Sequence, residues 1–180
     1  GKSLDLFSFH EEGPGFIFWH PRGLKLRNSL IDYWKEIHER EGYLEIKTPT
    51  LLTMDTWKRS GHTETFLDKM YLVKTQDSEE MDYAIKPMNC DGGMLIYKSK
   101  QISYKDLPIR MGELGTVYRY ESSGEVHGLM RVREFTQDDA HIYCTEQQVK
   151  EELKKVINLA LEVYKTFNLE LSHIELSTKP

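Results

Sequence analysis

Between Arg119 and His141 the sequence crowds side chains suited to holding an anion and a small polar molecule. Arg119-Tyr120-Glu121 comes first, and Arg131-Val132-Arg133-Glu134-Phe135-Thr136-Gln137-Asp138-Asp139-Ala140-His141 follows after a gap. On a strand, alternate residues share a face. Arg119 then points with Glu121, and Arg131, Arg133, Phe135, Gln137, Asp139 and His141 point together. Such a face is costly to bury dry. One reading is a solvated outer face laced with ion pairs. The other is a ligand platform. There, guanidinium forks donate paired hydrogen bonds to phosphate, Phe135 stacks on a base, and Glu121 accepts from an exocyclic amine. Gln137 and Asp139 hold a small polar substrate. The sequence has no Gly-x-Gly-x-x-Gly or Walker-type loop, so a nucleotide here depends on side chains for its phosphates.

The elements that must carry these residues can be read from periodicity. Pro21 and Gly23 precede Leu24, Leu26, Leu30, Ile31, Trp34 and Ile37, whose spacing predicts one helix face, with Gly42 as the stop. Tyr43 to Lys47 alternates as a strand until Pro49. Thr53 caps a short helix through Trp57, ended by Gly61. Met70–Val73 and Tyr83–Ile85 read as a hairpin with a polar loop, and Gly93 to Ser99 as a short helix. Two long strands are predicted around Gly115 to Glu121 and Arg131 to Tyr143, with Ser122 to Gly128 a flexible loop between them. Thr145 and Gln148 make a capping box for a helix to Phe167. Asn168 ends it, and Glu170 to Leu176 reads as a last strand. Strand runs joined by short loops, without regular βαβ alternation, favour an α+β fold: an antiparallel β-sheet flanked by helices.

Composition narrows the class. Apolar residues are 39% and charged residues 29% of the 180, the balance of a globular protein with one domain's worth of chain. The net charge of −5 argues against a broad basic face for nucleic acid, though not against a local RNA contact. No apolar run approaches the ~20 residues of a membrane span. Two cysteines, Cys90 and Cys144, make no disulfide framework, so a cytoplasmic setting is expected. Cys144 and, by itself, Cys90 read as small core residues. His20, His62 and His127 read as structural, surface or loop residues.

Arg119-Tyr-Glu121, the loop, and Gly128-Leu-Met-Arg131-Val-Arg133-Glu-Phe135-Thr-Gln137-Asp-Asp139-Ala-His141 resemble motif 2 of class II aminoacyl-tRNA synthetases, in the form most similar to threonyl-tRNA synthetases. Ser60-Gly61-His62, Lys86-Pro-Met88-Asn89-Cys90, Asp106-Leu-Pro108-Ile-Arg110 and Leu176-Ser-Thr-Lys-Pro180 agree, in order, along nearly the whole chain. The resemblance implies a threonine–tRNA ligase: ATP and L-threonine give threonyl-adenylate, and threonine is then transferred to tRNA(Thr). It implies Arg119 as the catalytic arginine bridging the α-phosphate and the substrate carboxylate. Glu121 meets the adenine amine, Arg131 lies near the γ-phosphate, and Phe135 lies under adenine. Met88, Gln137 and Asp139 line the threonine pocket, with Asp139 accepting from the threonine hydroxyl. Mg2+ accompanies ATP. Cys90 and His141 are the first two ligands of a Zn2+ whose third ligand lies beyond Pro180. Such a metal separates threonine from the nearly isosteric valine, which an apolar pocket does poorly.

Lys47-Thr48-Pro49 stands at the motif 1 position, which in this class builds a homodimer interface; by pattern alone it is also an ordinary helix-to-strand turn. Gly1 and the end at Pro180 lead us to expect a piece of a longer polypeptide, residues 1–180 holding motifs 1 and 2 of the catalytic core. Motif 3 and an anticodon-binding domain would then follow it, an editing domain would precede it, and the piece alone would be poorly active. The sequence departs from the family pattern after Cys90, where Asp91-Gly92-Gly93 replaces Pro-Gly-His, and at Glu64-Thr65-Phe66. A non-catalytic synthetase-like module that binds nucleotide or RNA is the competing reading. A sister enzyme for serine or proline is a third.

Overall fold

The structure is a computed structural model that describes residues 1–175. A two-stranded antiparallel ribbon, β1 (Phe7–Ser8) with β2 (Phe18–Trp19), leads into α1 (Pro21–Arg40). Pro21 opens this helix, where its missing N–H would have had no intrahelical partner. Gly42, at φ +77°, turns the chain out of it, and the Tyr43 N–H returns to the His38 carbonyl at 2.9 Å. The predicted apolar stripe holds only in the second half. Trp34 and Ile37 are buried, whereas Leu24, Leu26 and Leu30 are exposed. At the helix start it is the backbone that packs: a Cβ on Gly23 would stand 1.8 Å from the Leu6 carbonyl oxygen.

Two three-stranded sheets follow. The first runs β3 (Leu44–Glu45), β7 (Ile109–Tyr118), β8 (Glu134–Tyr143). β3 lies parallel to β7, pairing Leu44 with Met111 and Glu45 with Gly112. β7 and β8 run in opposite directions, since Thr116 meets Thr136 while, further along, the Arg119 N–H reaches the Arg133 carbonyl. The second sheet is antiparallel, with β6 (Tyr83–Ile85) between β4 (Leu51–Thr53) and β5 (Tyr71–Val73). Against it pack α2 (Met54–Arg59) and the start of the loop after α3 (His62–Thr65). Met54, Trp57, Met70 and Ala84 form the core there, with Leu52 and Phe66 beside them. The predicted hairpin is therefore present, with a third strand added.

Next comes α4 (Cys90–Lys98), which begins at Cys90 rather than at the predicted Gly93. The described chain divides into two compact units: residues 1–102 with 109–141, and residues 103–108 with 142–175. The second contains α5 (Val149–Thr166), entered where Gln148 Oε1 accepts from the Thr145 N–H at 2.9 Å, as the capping box predicts. Asn168, at φ +52°, follows its end. Glu170 to Glu175 forms no strand, contrary to the sequence reading; it has no ladder partner among the described residues. Leu176-Ser-Thr-Lys-Pro180 lies outside the described residues. No described helix is long and apolar enough to cross a membrane.

Candidate functional site

β8 sorts its residues by parity. The even positions meet α1: Arg27 Nη2 donates to Thr136 Oγ1 at 3.0 Å, and Trp34 Nε1 and His38 Nε2 both reach Asp138. The odd positions Gln137, Asp139 and His141 share the other face and are half-buried. β7 obeys the same rule. Gly112 backs onto Trp34, while Gly115 faces Asn89 so closely that a Cβ would lie 2.1 Å from its amide oxygen.

Asn89 organises one end of this face. Only 1% exposed, it directs Nδ2 at Asp139 Oδ2 (3.2 Å) and Gln137 Oε1 (3.4 Å). Both contacts are acceptors, so the amide orientation follows from its surroundings. Met88 and Cys90, its chain neighbours, are half-buried. Burial, then the charge of Asp139, pushes the Cys90 thiol up. Sequence reasoning quoted Asn89 within a motif but gave it no role, because periodicity does not report how far an amide reaches.

The departure at Asp91 has a local explanation. Its carboxylate is 4% exposed, accepts from Ser60 Oγ at 2.9 Å and stands 3.4 Å from His62 Nδ1. Ser60-Gly61-His62 is thus tied to the residue after Cys90. Gly92 is needed because a Cβ there would meet the Thr48 side chain at 2.6 Å. Thr48, Lys86 and Glu113, all buried, form one knot: Lys86 Nζ lies 3.1 Å from Glu113 Oε1, which also accepts from the Thr48 N–H at 2.8 Å. This knot fastens the Lys47-Thr48-Pro49 turn to β7.

At the other end, Arg119 and Glu121 lie beyond β7, and Arg131 and Arg133 lie before β8, so the single polar face predicted from strand alternation is divided. Arg133 is consumed structurally. Its fork donates to the Glu121 carbonyl at 2.9 and 2.8 Å and to the Pro14 carbonyl at 3.0 Å. Arg119 is different. Its guanidinium lies between two rings, 5.5 Å from the Phe66 centroid and 5.1 Å from that of Phe135, and Nε donates to the Pro87 carbonyl at 3.2 Å. The two terminal nitrogens have no hydrogen-bond partner among the described residues. Stacking on two rings is a cation–π arrangement that fixes a charge without neutralising it. Phe66 was missed for this role.

Glu121 is buried, with Lys69 Nζ 3.1 Å from Oε2; this hydrogen bond and that of Glu125 raise the Lys69 ammonium above its ordinary value. Arg131 is exposed and sits 3.7 Å from Glu125 in the 122–128 loop. Among the described residues no three His, Cys, Asp or Glu side chains come together as a metal site. A thiol and an imidazole are zinc-type donors, so the side chains of Cys90 and His141 suit by their chemistry the ion that the resemblance implies.

The family model described as "tRNA synthetase class II core domain (G, H, P, S and T)" matches residues 71–180. The chain is 55% identical to a threonine–tRNA ligase of Clostridium botulinum strain Langeland over all 180 residues, covering 28% of that relative. Identity is also 55% to the threonine–tRNA ligase of Carboxydothermus hydrogenoformans, again over the whole chain and 28% of the relative. A crystal structure of the RNA-binding domain of threonyl-tRNA synthetase from Cryptosporidium parvum Iowa II superposes with TM-score 0.87 at 39% identity, covering 92% of this chain and 41% of that one. The chain thus spans little more than a quarter of the curated relatives it matches.

Proposed function

Because the chain belongs to the class II tRNA synthetase core-domain family (G, H, P, S and T), we propose that the protein containing it activates L-threonine with ATP and transfers it to tRNA(Thr) in the cytoplasm. The observation that carries this reading is the Arg119 fork, held between Phe66 and Phe135 with its terminal nitrogens lacking a hydrogen-bond partner among the described residues. In activation a carboxylate oxygen bonds to the α-phosphorus and pyrophosphate leaves. Arg119 binds an oxygen of that phosphate and an oxygen of the carboxylate together, which aligns them and stabilises the charge that builds up at phosphorus. Glu121, held by Lys69, accepts from the adenine amine, and Phe135 offers its ring to the base. Arg131 meets the terminal phosphate, with Mg2+ on the triphosphate.

Gln137 and Asp139, held by Asn89, bind the polar groups of threonine beside Met88. Cys90 and His141, with a third ligand from outside the described residues, would hold Zn2+, which would supply there a Lewis acid favouring a side chain with a hydroxyl, a group that valine lacks. Exposed Leu24, Leu26 and Leu30 on the helix leading to Lys47-Thr48-Pro49 support a homodimer through that region.

The test is ATP–pyrophosphate exchange by the full-length protein with single amino acids. Exchange with threonine, and not with serine, proline or valine, is expected. Exchange with serine or proline would transfer the site to a sister enzyme, and none at all would favour a binding module. Zinc content should fall in Cys90→Ser; unchanged zinc removes Cys90 from the metal site.

A further inference from the structure

Glu125 sits at the turn of the loop that joins the two candidate phosphate-binding arginines, and its carboxylate is shared among three donors. Lys69 Nζ lies 3.2 Å from Oε2, the Ser122 N–H donates to Oε2 at 3.1 Å, and Arg131 Nη1 stands 3.7 Å from Oε1. Lys69 holds Glu121 with the same ammonium, at 3.1 Å. The far side of the loop is pinned by backbone: His127 and Arg131 exchange N–H···O bonds of 2.9 and 3.1 Å around Gly128, which takes φ +51°. Arg131 is therefore fixed in position while its charge is balanced by a carboxylate of the same loop. The motif reading gave Glu125 no role; only the folded loop brings it to Lys69 and Arg131.

We propose that Glu125 is an internal stand-in for phosphate, a carboxylate that competes with the nucleotide's terminal phosphate for Arg131 and so sets the affinity for ATP. The proposal rests on the reading of Arg131 as a phosphate ligand. A carboxylate offers two oxygens and a single charge, where a terminal phosphate offers three oxygens and more charge. The phosphate therefore wins the contest, but against a standing competitor. The competitor is weak because the pair is reachable by water: the Arg131 and Glu125 side chains are 55% and 40% exposed, and ion pairs of that kind are easily exchanged. The Ser122 bond gives Glu125 a second task, bracing the turn. Glutamine at this position keeps an oxygen for the Ser122 N–H and for Lys69 while removing the charge, so Glu125→Gln separates the two tasks.

The experiment is titration of the full-length protein with Mg·ATP and with AMP, for the wild type, Glu125→Gln, Arg131→Gln and the double variant. Glu125→Gln should bind ATP about two- to five-fold tighter, the range expected of an exposed ion pair, with no such gain for AMP. The gain should vanish when Arg131 is already glutamine, as a double-mutant cycle requires of coupled residues. Equal or weaker ATP binding by Glu125→Gln, an equal gain for AMP, or a gain that survives Arg131→Gln would each overturn the proposal. If the wild type binds neither nucleotide, the reading of the site falls and takes this proposal with it; that outcome is seen in the wild-type titration alone.

Discussion

Replacing Asn89 separates the proposed amino-acid half of the site from the proposed nucleotide half. Its Nδ2 is the donor that steadies the Asp139 carboxylate at 3.2 Å and Gln137 at 3.4 Å, in a place 1% exposed. A hydrogen bond to a charged partner is worth about 1.5–3 kcal/mol. Asn89→Ala, which deletes it, should therefore lower kcat/KM for threonine about 10- to 150-fold. Asn89→Asp conserves shape and should be worse. Two unit charges 3.2 Å apart repel by roughly 5 kcal/mol at an effective dielectric of about 20, so one carboxyl must take a proton or swing away. The assay is ATP–pyrophosphate exchange with threonine varied at saturating ATP, then ATP varied at saturating threonine. The loss should appear against threonine, with KM for ATP close to that of the wild type. Urea unfolding of each variant shows whether the fold survives. Folded variants that keep threonine kcat/KM within about twofold of the wild type would refute the idea that Asn89 positions Gln137 and Asp139; a loss confined to KM for ATP would place Asn89 at the other end of the site.

Two further outcomes follow from paired charge. Lys86→Met leaves Glu113 buried without its counter-ion and should cost about 3–5 kcal/mol in urea unfolding, part of it recovered in the double variant with Glu113→Gln; a cost under about 1 kcal/mol would contradict the knot. Asp138 is pushed up by burial, but hydrogen bonds from His38 and Trp34 outweigh this and hold its carboxyl below the ordinary range. Its stabilisation is thus present above the ordinary carboxylate pKa of about 3.9 and is lost as pH falls through the lower folded-state value. Asp138→Asn should be less stable than wild type near neutrality, with the difference closing in strong acid; a gap of constant size from neutral to strongly acid pH would refute this.

Much of the fold was legible because its signals are local. Pro21 and Gly42 bound α1, Thr145 with Gln148 opens the last helix, and Tyr83–Ile85 pairs as its alternation predicts. The parity of Gln137, Asp139 and His141 on β8 was equally readable. The errors came where tertiary contacts decide. Arg131 and Arg133 look like strand residues by alternation, yet Arg131 pairs with His127 across a tight turn and the Arg133 N–H turns to the Gly15 carbonyl, so β8 begins only at Glu134. Leu24, Leu26 and Leu30 share the predicted helix face with Trp34 and Ile37 yet are exposed, because periodicity reports a stripe and not what covers it. Asn89, Phe66 and Glu125 were given no role since their roles depend on distances between segments far apart in the chain.

The central claim is that Arg119, braced by Phe66 and Phe135, and the Gln137–Asp139–Asn89 group bind the two halves of one molecule. The most direct measurement is calorimetric titration of the full-length protein with a non-hydrolysable threonyl-adenylate analogue, for the wild type and Arg119→Ala. The account predicts binding to the wild type that is weakened about 10- to 150-fold in the variant, the loss of a charge-assisted hydrogen bond. Equal affinity in the two proteins, or no binding to the wild type, would contradict it.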